Sequence, residues 1–142
     1  MDDKTTALMN ILASCDNDNE LAEYVDSIDG KYPASFHEYI KTILESKQMT
    51  VADLHRSSLI DRTYIYQIMD GRKNPGRDKI VAIAIGAGMS LEECQRALEI
   101  AKEGILYSKN RRDSIIIYAI NNSLSIMELN ALLEQYDVPA LQ

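Results

Sequence analysis

Cysteine is scarce in this 142-residue chain: Cys15 and Cys94 are the only two, far apart and in no metal-ligand spacing. Such a pair makes neither a disulfide framework nor a zinc site, and two reduced thiols are expected. Histidine is as scarce, with only His37 and His55. No Ser/His/Asp set, paired-carboxylate site, glycine-rich phosphate loop or metal-ligand cluster is visible, so no enzymatic activity, cofactor or metal is expected. The N-terminus, "MDDKTTALMNILASCD", opens on acids and has no basic signal-peptide region. No apolar run approaches the roughly 20 residues of a membrane span. Together these lead to the expectation of a soluble, cytoplasmic protein with no membrane partner.

Positive charge is also in short supply, with 15 Lys and Arg against 22 acids and a net charge of −7. That balance speaks against nucleic acid until its distribution is read. Residues 1–34 carry two Lys and eight acids, and residues 80–142 carry five basic residues and eight acids. Only residues 35–79 carry an excess of base, eight against six.

What the chain has in abundance is helical periodicity. Apolar residues recur three and four apart in Leu8, Ile11, Leu12 and Cys15, in Leu21, Tyr24, Val25 and Ile28, and in Phe36, Tyr39, Ile40, Ile43 and Leu44. Three start signals read S-x-x-E before an apolar face: Ser35–Glu38, Ser90–Glu93 and Ser125–Glu128. "TVAD" at Thr50–Asp53 is a looser version of this capping box. Gly30, Gly71, Gly88 and Gly104 punctuate helix ends. "GKYPAS" (Gly30–Ser35) marks the boundary between an acidic N-terminal hairpin and the main body.

Two segments, "IVAIAI" (Ile80–Ile85) and "SIIIYAI" (Ser114–Ile120), read as buried strands or buried helices by composition. An internal repeat decides between them. "GRDKIVAIAIGAGMSLEECQRALE" from Gly76 aligns without gaps to "RRDSIIIYAINNSLSIMELNALLE" from Arg111, at an offset of 35. Each copy is an apolar segment, a turn and a capped helix, so two stacked helical hairpins are expected, joined by "GILYSKN". The organisation is then an acidic N-terminal hairpin (1–34), a central domain (35–104) and a C-terminal hairpin (105–142) that repeats 76–101 and packs on the same core.

Before the repeat, the pattern predicts three short helices, Ser35–Lys47, Thr50–Ser57 and Arg62–Met69, with "SLI" (Ser58–Ile60) as a turn and Asp61 as an N-cap. On the third helix Ile65 and Ile68 fall on one side. Arg62, Thr63, Tyr66, Gln67 and Asp70 fall on the other, because 62/66, 63/67 and 66/70 are i,i+4 pairs. Arg reads guanine and Gln reads adenine by paired hydrogen bonds in the major groove. Arg72, Lys73, Arg77 and Lys79 follow and suit phosphates.

At these residues a resemblance enters. "MTVADLHRSSLIDRTYIYQIMDGRKNP" resembles the helix-turn-helix of the Xre family, the phage-repressor and Cro type of DNA-binding domain, and "DGRKNP" is similar to that family's E-N-G-K-x-x-P loop. The likeness runs from about Ser35 to Ala101. It implies an all-α, phage-repressor-like helix-turn-helix bundle; the hairpin repeat at the C-terminus and the N-terminal hairpin, whose 34 residues the resemblance does not cover, are expected to extend it. The resemblance implies double-stranded DNA as partner and transcriptional regulation as role. It puts Asp61, Arg62, Thr63, Tyr66 and Gln67 at bases, and Thr50, Asp70, Arg72, Lys73, Asn74 and Arg77 at the DNA backbone. The chain departs from the family at His55, where Ala is usual, at Leu59, where Gly is usual, and at Val51, where a polar residue is usual. A non-glycine residue at positive φ costs on the order of 1 kcal/mol, so Leu59 means either a strained turn or a different one.

Plainer readings stand beside these. Tyr64 and Tyr66 either reach a groove or pack against the N-terminal hairpin. Arg62 and Gln67 are either base readers or a solvated surface, with the loop and spacing favouring the first. His37 is expected to be solvated and His55 packed or half-exposed. The last helices are either purely structural or a homodimer interface, since such regulators commonly bind two-fold sites. The acidic hairpin is a solvated cap, a protein-binding element or a competitor for the basic surface. A second function class, a helical protein-interaction module that has given up DNA, remains open.

Overall fold

The computed structural model describes residues 3–28 and 35–142, and every regular element among them is a helix. The chain divides into two compact units, Met1–Pro33 and Ala34–Gln142. The expected boundary at Gly30–Ser35 lies, except for Ser35, outside the described residues.

The first unit is a hairpin of α1 (Asp3–Ala13) and α2 (Asp18–Ile28). Its link is closed locally: Asn17 Oδ1 accepts from the Glu20 N–H at 2.9 Å, and Glu20 Oε2 accepts from the Asp16 N–H at 2.8 Å. Met9, Ile11, Leu12, Leu21 and Val25 are exposed, and no residue of α2 is buried. Two helices alone have too little facing surface to enclose a core.

The second unit runs α3 (Phe36–Ser46), α4 (Val51–Ser58), α5 (Arg62–Met69), α6 (Arg77–Gly86), α7 (Leu91–Ile100), α8 (Arg111–Asn121) and α9 (Ile126–Gln135). The ambiguous apolar segments lie in α6 and α8 and are helical. Reciprocal capping boxes start α4 (Thr50 with Asp53), α7 (Ser90 with Glu93) and α9 (Ser125 with Glu128), each satisfying two backbone N–H groups that the helix leaves open. One cluster of buried side chains runs from Phe36 on α3 to Leu133 on α9, so all seven helices share a core. Helix α6 is its axis. Ile80, Val81, Ala82, Ile83 and Ala84 are all buried, as an all-round apolar helix requires, with α4, α7 and α9 packed around it. At Gly86 the α4 backbone comes so near that an added Cβ would lie 2.9 Å from Ser58 N. The Ser57 hydroxyl donates to Gly86 O there at 2.8 Å.

Six helices end alike. The residue after the C-cap takes positive φ, and the next N–H reaches back to a carbonyl of the last turn. Two of the six use glycine at that position, Gly71 (φ 86°) and Gly88 (65°); the others use Gln48 (55°), Lys102 (59°), Ser123 (55°) and Asp137 (58°). Gly104, expected as the stop after α7, is two residues too late: Lys102 makes the turn, and the Gly104 carbonyl has another use.

That use belongs to a clasp between the two copies of the repeat. Arg77 at the start of α6 grips Asp113 of α8 with two hydrogen bonds of 2.9 and 2.7 Å. Its remaining donors go to Gly104 O and Ile105 O, both at 2.8 Å. Arg112 at the start of α8 grips Asp78 of α6 at 3.0 and 2.8 Å and donates to Pro139 O and Ala140 O. Each carboxylate also accepts a backbone N–H, Asp113 from Tyr107 and Asp78 from Gln142, both at 3.0 Å. Each residue of one half of the clasp stands 35 residues from its counterpart in the other: Arg77 and Arg112, Asp78 and Asp113, Gly104 and Pro139, Ile105 and Ala140, Tyr107 and Gln142. Gln95 and Asn130, also 35 apart, accept the backbone N–H of Leu106 and Leu141 respectively, and Gln95 donates to Leu106 O as well. Exchanging the copies exchanges the two ion pairs, and it exchanges α6 on α9 with α8 on α7. The two stacked hairpins are therefore paired reciprocally. Burial alone would raise both carboxyl pKa values. For Asp113 the Arg77 and Tyr107 hydrogen bonds, and for Asp78 those from Arg112 and Gln142, outweigh it together with the arginine charges, and hold both below the ordinary 3.8.

Candidate nucleic-acid interface

Helices α4 and α5 are eight residues each and joined by Leu59, Ile60 and Asp61. Leu59 is left-handed (φ 58°, ψ 18°), so the turn keeps the conformation that glycine would take, with the leucine side chain 59% exposed. Two contacts hold it. Ser58 is buried and its hydroxyl accepts from the Ile60 N–H at 3.3 Å. His55 Nδ1–H donates to Ile60 O at 2.8 Å and so ties the turn to α4. The turn residue Ile60 is itself buried.

Helix α5 lies on the core through Ile65, Ile68 and Met69. Arg62, Thr63 and Tyr66 are exposed and Gln67 is half-buried, so these four share the face turned away from the core. The Arg62 guanidinium sits 5.6 Å from the Tyr66 ring centroid, within cation–π range. No carboxylate pairs with Arg62 among the described residues. Asp61 is exposed, but its carboxylate caps the helix, accepting from the Tyr64 N–H at 3.3 Å. Tyr64 is half-buried against the core, which narrows the pair of candidate aromatics to Tyr66.

The flanking loop is less basic than its composition. Asp70 accepts from both Arg72 Nε (2.7 Å) and the Arg72 N–H (3.0 Å). These bonds lower the Asp70 pKa, and the same partner raises that of Arg72. Lys73 and Asn74 are exposed, and Lys73 has no ion-pair partner among the described residues. Gly71 takes φ 86° with the His37 ring beneath it; an added Cβ would meet His37 Cε1 at 2.8 Å. His37 is thus half-buried under the loop rather than solvated, with Nδ1 3.2 Å from Ser35 Oγ.

Two expected backbone contacts are otherwise engaged. Arg77 is spent in the clasp, with four of its five N–H donors on Asp113, Gly104 and Ile105. Its neighbour at offset 35, Arg112, carries the sequence signal that was there to read: the same Arg-Asp dipeptide stands at both repeat starts. At Thr50 the hydroxyl and N–H are both used by the capping box, which sets the Asp53 carboxylate at the α4 N-terminus. Hydrogen bonds from Thr50, with the charge of Arg56, lower the Asp53 pKa, so this end carries its own anion. Only the N–H groups not taken by the box are left there for a phosphate. Arg62 and Lys73 are the cations of this surface that no carboxylate neutralises, and the exposed face joins them to Thr63, Tyr66, Gln67 and Asn74.

Among the described residues no group of three His, Cys, Asp or Glu is placed to hold a metal ion, and no helix is long and apolar enough to cross a membrane. Comparison with protein-family models, curated proteins and solved structures gives no match.

Proposed function

We propose that the protein is a sequence-specific regulator that binds double-stranded DNA through a helix-turn-helix of the Xre type, formed by α4, the Leu59–Asp61 turn and α5. The observation that carries the reading is Arg62. In a chain of net charge −7, this arginine stays unneutralised and stacked on Tyr66, on the face of α5 that also presents Thr63 and Gln67. A guanidinium fork and a carboxamide on one short helix match the paired hydrogen-bonding edges of guanine and adenine. The turn supports this reading: Leu59 keeps a left-handed conformation against its preference, with two hydrogen bonds to hold it. Lys73, Asn74 and the half-paired Arg72 are the phosphate-facing groups. Their small number implies a modest salt effect. With about three phosphate contacts per chain, affinity falls roughly 40-fold between 50 and 200 mM salt, since the logarithmic slope is about 0.9 per contact.

Selection from a random duplex library by the full chain, at two salt concentrations, tests this reading. A single enriched motif is expected. Arg62→Ala then loses about 1–3 kcal/mol on that motif, roughly 5- to 150-fold in Kd, and relaxes one base position. Lys73→Ala weakens all duplexes alike and lowers the salt slope by about one. Absence of any enriched motif rejects the proposal.

One observation favours a second reading, a helical protein-interaction module. The carboxylates of Asp53, Asp61 and Asp70 rim the same surface, two of them ion-paired to its arginines. In that case Tyr66 and Arg62 anchor a protein, Tyr66→Ala abolishes its binding, and duplex DNA binds without sequence preference.

A further inference from the structure

Helix α3 runs antiparallel along α7, and three contacts fix its place. Phe36 at its start lines one pocket with Ile100 and Ala101 at the end of α7. Midway, the Arg96 guanidinium stands 5.9 Å from the Tyr39 ring centroid. Lys47, just past the last turn, reaches the Glu93 carboxylate at 3.6 Å and Gly88 O at 3.2 Å. The charges suit this direction: α3 has Glu38 in its first turn and Lys47 at its C-cap, as the helix dipole favours.

The second copy repeats this seat without a helix on it. Moved along by the offset of the repeat, Glu93 becomes Glu128, Ala97 becomes Leu132 and Ala101 becomes Tyr136. Among the described residues of the second unit, α9 packs on α6 and α8, and no helix takes the place that α3 has on α7. Leu132 and Tyr136 instead line an open groove of about 560 Å³ with Arg111, Ser114, Ile115 and Tyr118 of α8. Tyr118 stays 54% exposed and Tyr136 45%. Both ends of the seat are charged. At one, Arg111 donates to Tyr136 O and stacks on the Tyr136 ring at 5.8 Å, with no carboxylate beside it among the described residues. At the other, the Glu128 carboxylate accepts the Ser125 N–H at 3.0 Å and has no cation beside it among the described residues.

We infer that the α8–α9 face receives one amphipathic helix of a partner protein, laid antiparallel to α9 as α3 is laid on α7. The repeat supplies the geometry, and the unpaired charges supply the chemistry. In that direction the partner helix starts beside Arg111 and ends beside Glu128. Its first turn therefore carries Asp or Glu and its last turn Lys or Arg, placements that its own dipole also favours. Its apolar residues recur three and four apart and lie on Ile115, Tyr118 and Leu132, in the manner of a helix in a groove. Where α3 sets Phe36 by Ala101, the larger Tyr136 leaves room for a small side chain only. Helix α9 has 10 residues, about 15 Å, so the contact is roughly three turns long. Its burial falls below the roughly 1,200 Å² of stable interfaces, and the complex is of the weak, reversible kind. The inference does not rest on DNA binding by α5.

Selection by the immobilised full chain from a displayed library of peptides of about 14 residues, roughly four turns, tests it. Apolar residues, from Ala to Phe, are fixed at i, i+3, i+4 and i+7, and the other positions are random. The expected result is an enriched family with acids in the first turn, bases in the last and Ala at the first apolar position. In fluorescence anisotropy, a synthetic member of that family binds Tyr118→Glu at least about tenfold more weakly, as loss of an aromatic anchor predicts. Lys41→Glu, at an exposed position on α3, binds it unchanged. Selection repeated with Arg111→Glu inverts the first-turn preference from acids to bases. Circular dichroism shows whether Tyr118→Glu still folds; if it does not, Ser114→Glu, at an exposed position of the groove, replaces it. No enrichment, binding that folded groove variants leave untouched, or a family whose charges run the opposite way overturns the inference. So does a chain that sedimentation velocity shows to dimerise through this face, because a second copy then covers it. None of these outcomes bears on whether α5 selects a DNA motif.

Discussion

The α6–α7 and α8–α9 hairpins share a skeleton down to hydrogen bonds: the same Arg-Asp start, a left-handed residue at the same position after the first helix (Gly88, Ser123), the same Ser–Glu capping box, and an amide side chain at the same position (Gln95, Asn130) holding the trailing loop. They differ in their neighbours. The first hairpin carries α4 on α6 and α3 on α7, and it has the small residues Gly86, Ala97 and Ala101, with α4 coming closest at Gly86. The second has Leu132, Tyr136 and Asn121 at those positions and carries nothing there within its unit. Local hydrogen bonding therefore sets the shape of a hairpin, while side-chain volume on one face sets what that hairpin accepts as a partner.

Truncating equivalent residues should break the likeness most. Ile83→Ala removes a fully buried side chain from under α4 and is expected to cost about 4 kcal/mol in urea denaturation. Tyr118→Ala, at the equivalent site, is expected to cost less than about 1 kcal/mol in dilute solution. Equal losses would mean that the second face is covered after all.

The clasp should show a smaller difference. Asp113→Ala leaves Arg77 without its carboxylate in a site where Asp113 is only 5% exposed, and is expected to cost about 3 kcal/mol. Asp78→Ala, in a more open pair, is expected to cost about 2 kcal/mol, since solvent screens it more. Both carboxyl pKa values are depressed in the folded chain. Their stabilisation is thus complete above the unfolded carboxyl pKa of about 4 and is lost as pH falls through the lower folded values. Acid titration of wild type should show that loss below pH ~4, and Asp113→Asn should flatten part of it.

The smallest contrast sharpens the account of the crossing. Gly86→Ala gains about 1 kcal/mol of helix propensity. Its new methyl meets the Ser58 backbone at 2.9 Å, however, and the strain outweighs that gain by about 1 kcal/mol. Asn121→Ala has only the gain, about 0.5 kcal/mol. Thermal melting should therefore move in opposite directions for two substitutions at one repeat position.

These contrasts also mark how far the sequence could be read. Helix starts were legible because a capping box is a local event: Thr50 with Asp53, Ser90 with Glu93 and Ser125 with Glu128 need no tertiary information. The repeat was legible by alignment and settled helix over strand for Ile80–Ile85 and Ser114–Ile120. Helix stops were less legible, because Gln48, Lys102, Ser123 and Asp137 take a conformation that their side chains do not advertise. Of the candidate interface, the exposed face of α5 followed from i,i+4 spacing. Arg77 did not, because its destination is 36 residues away on another helix. His37 did not either, since its packing depends on a loop at positive φ that approaches from α5. The ion pairing of Asp70 with Arg72 was two residues long and could have been anticipated from the loop alone.

The mutual grip of Arg77, Asp78, Arg112 and Asp113 has a bearing on how such a chain can grow. A repeat that stacks head to tail offers a free end to every newcomer, so duplication can lengthen the array without limit. Here each copy uses both its hands on the other, and the handshake is complete at two. A further duplication of the 35-residue unit would arrive with an arginine and a carboxylate that have nothing left to hold, and selection for length by this route stops where it stands.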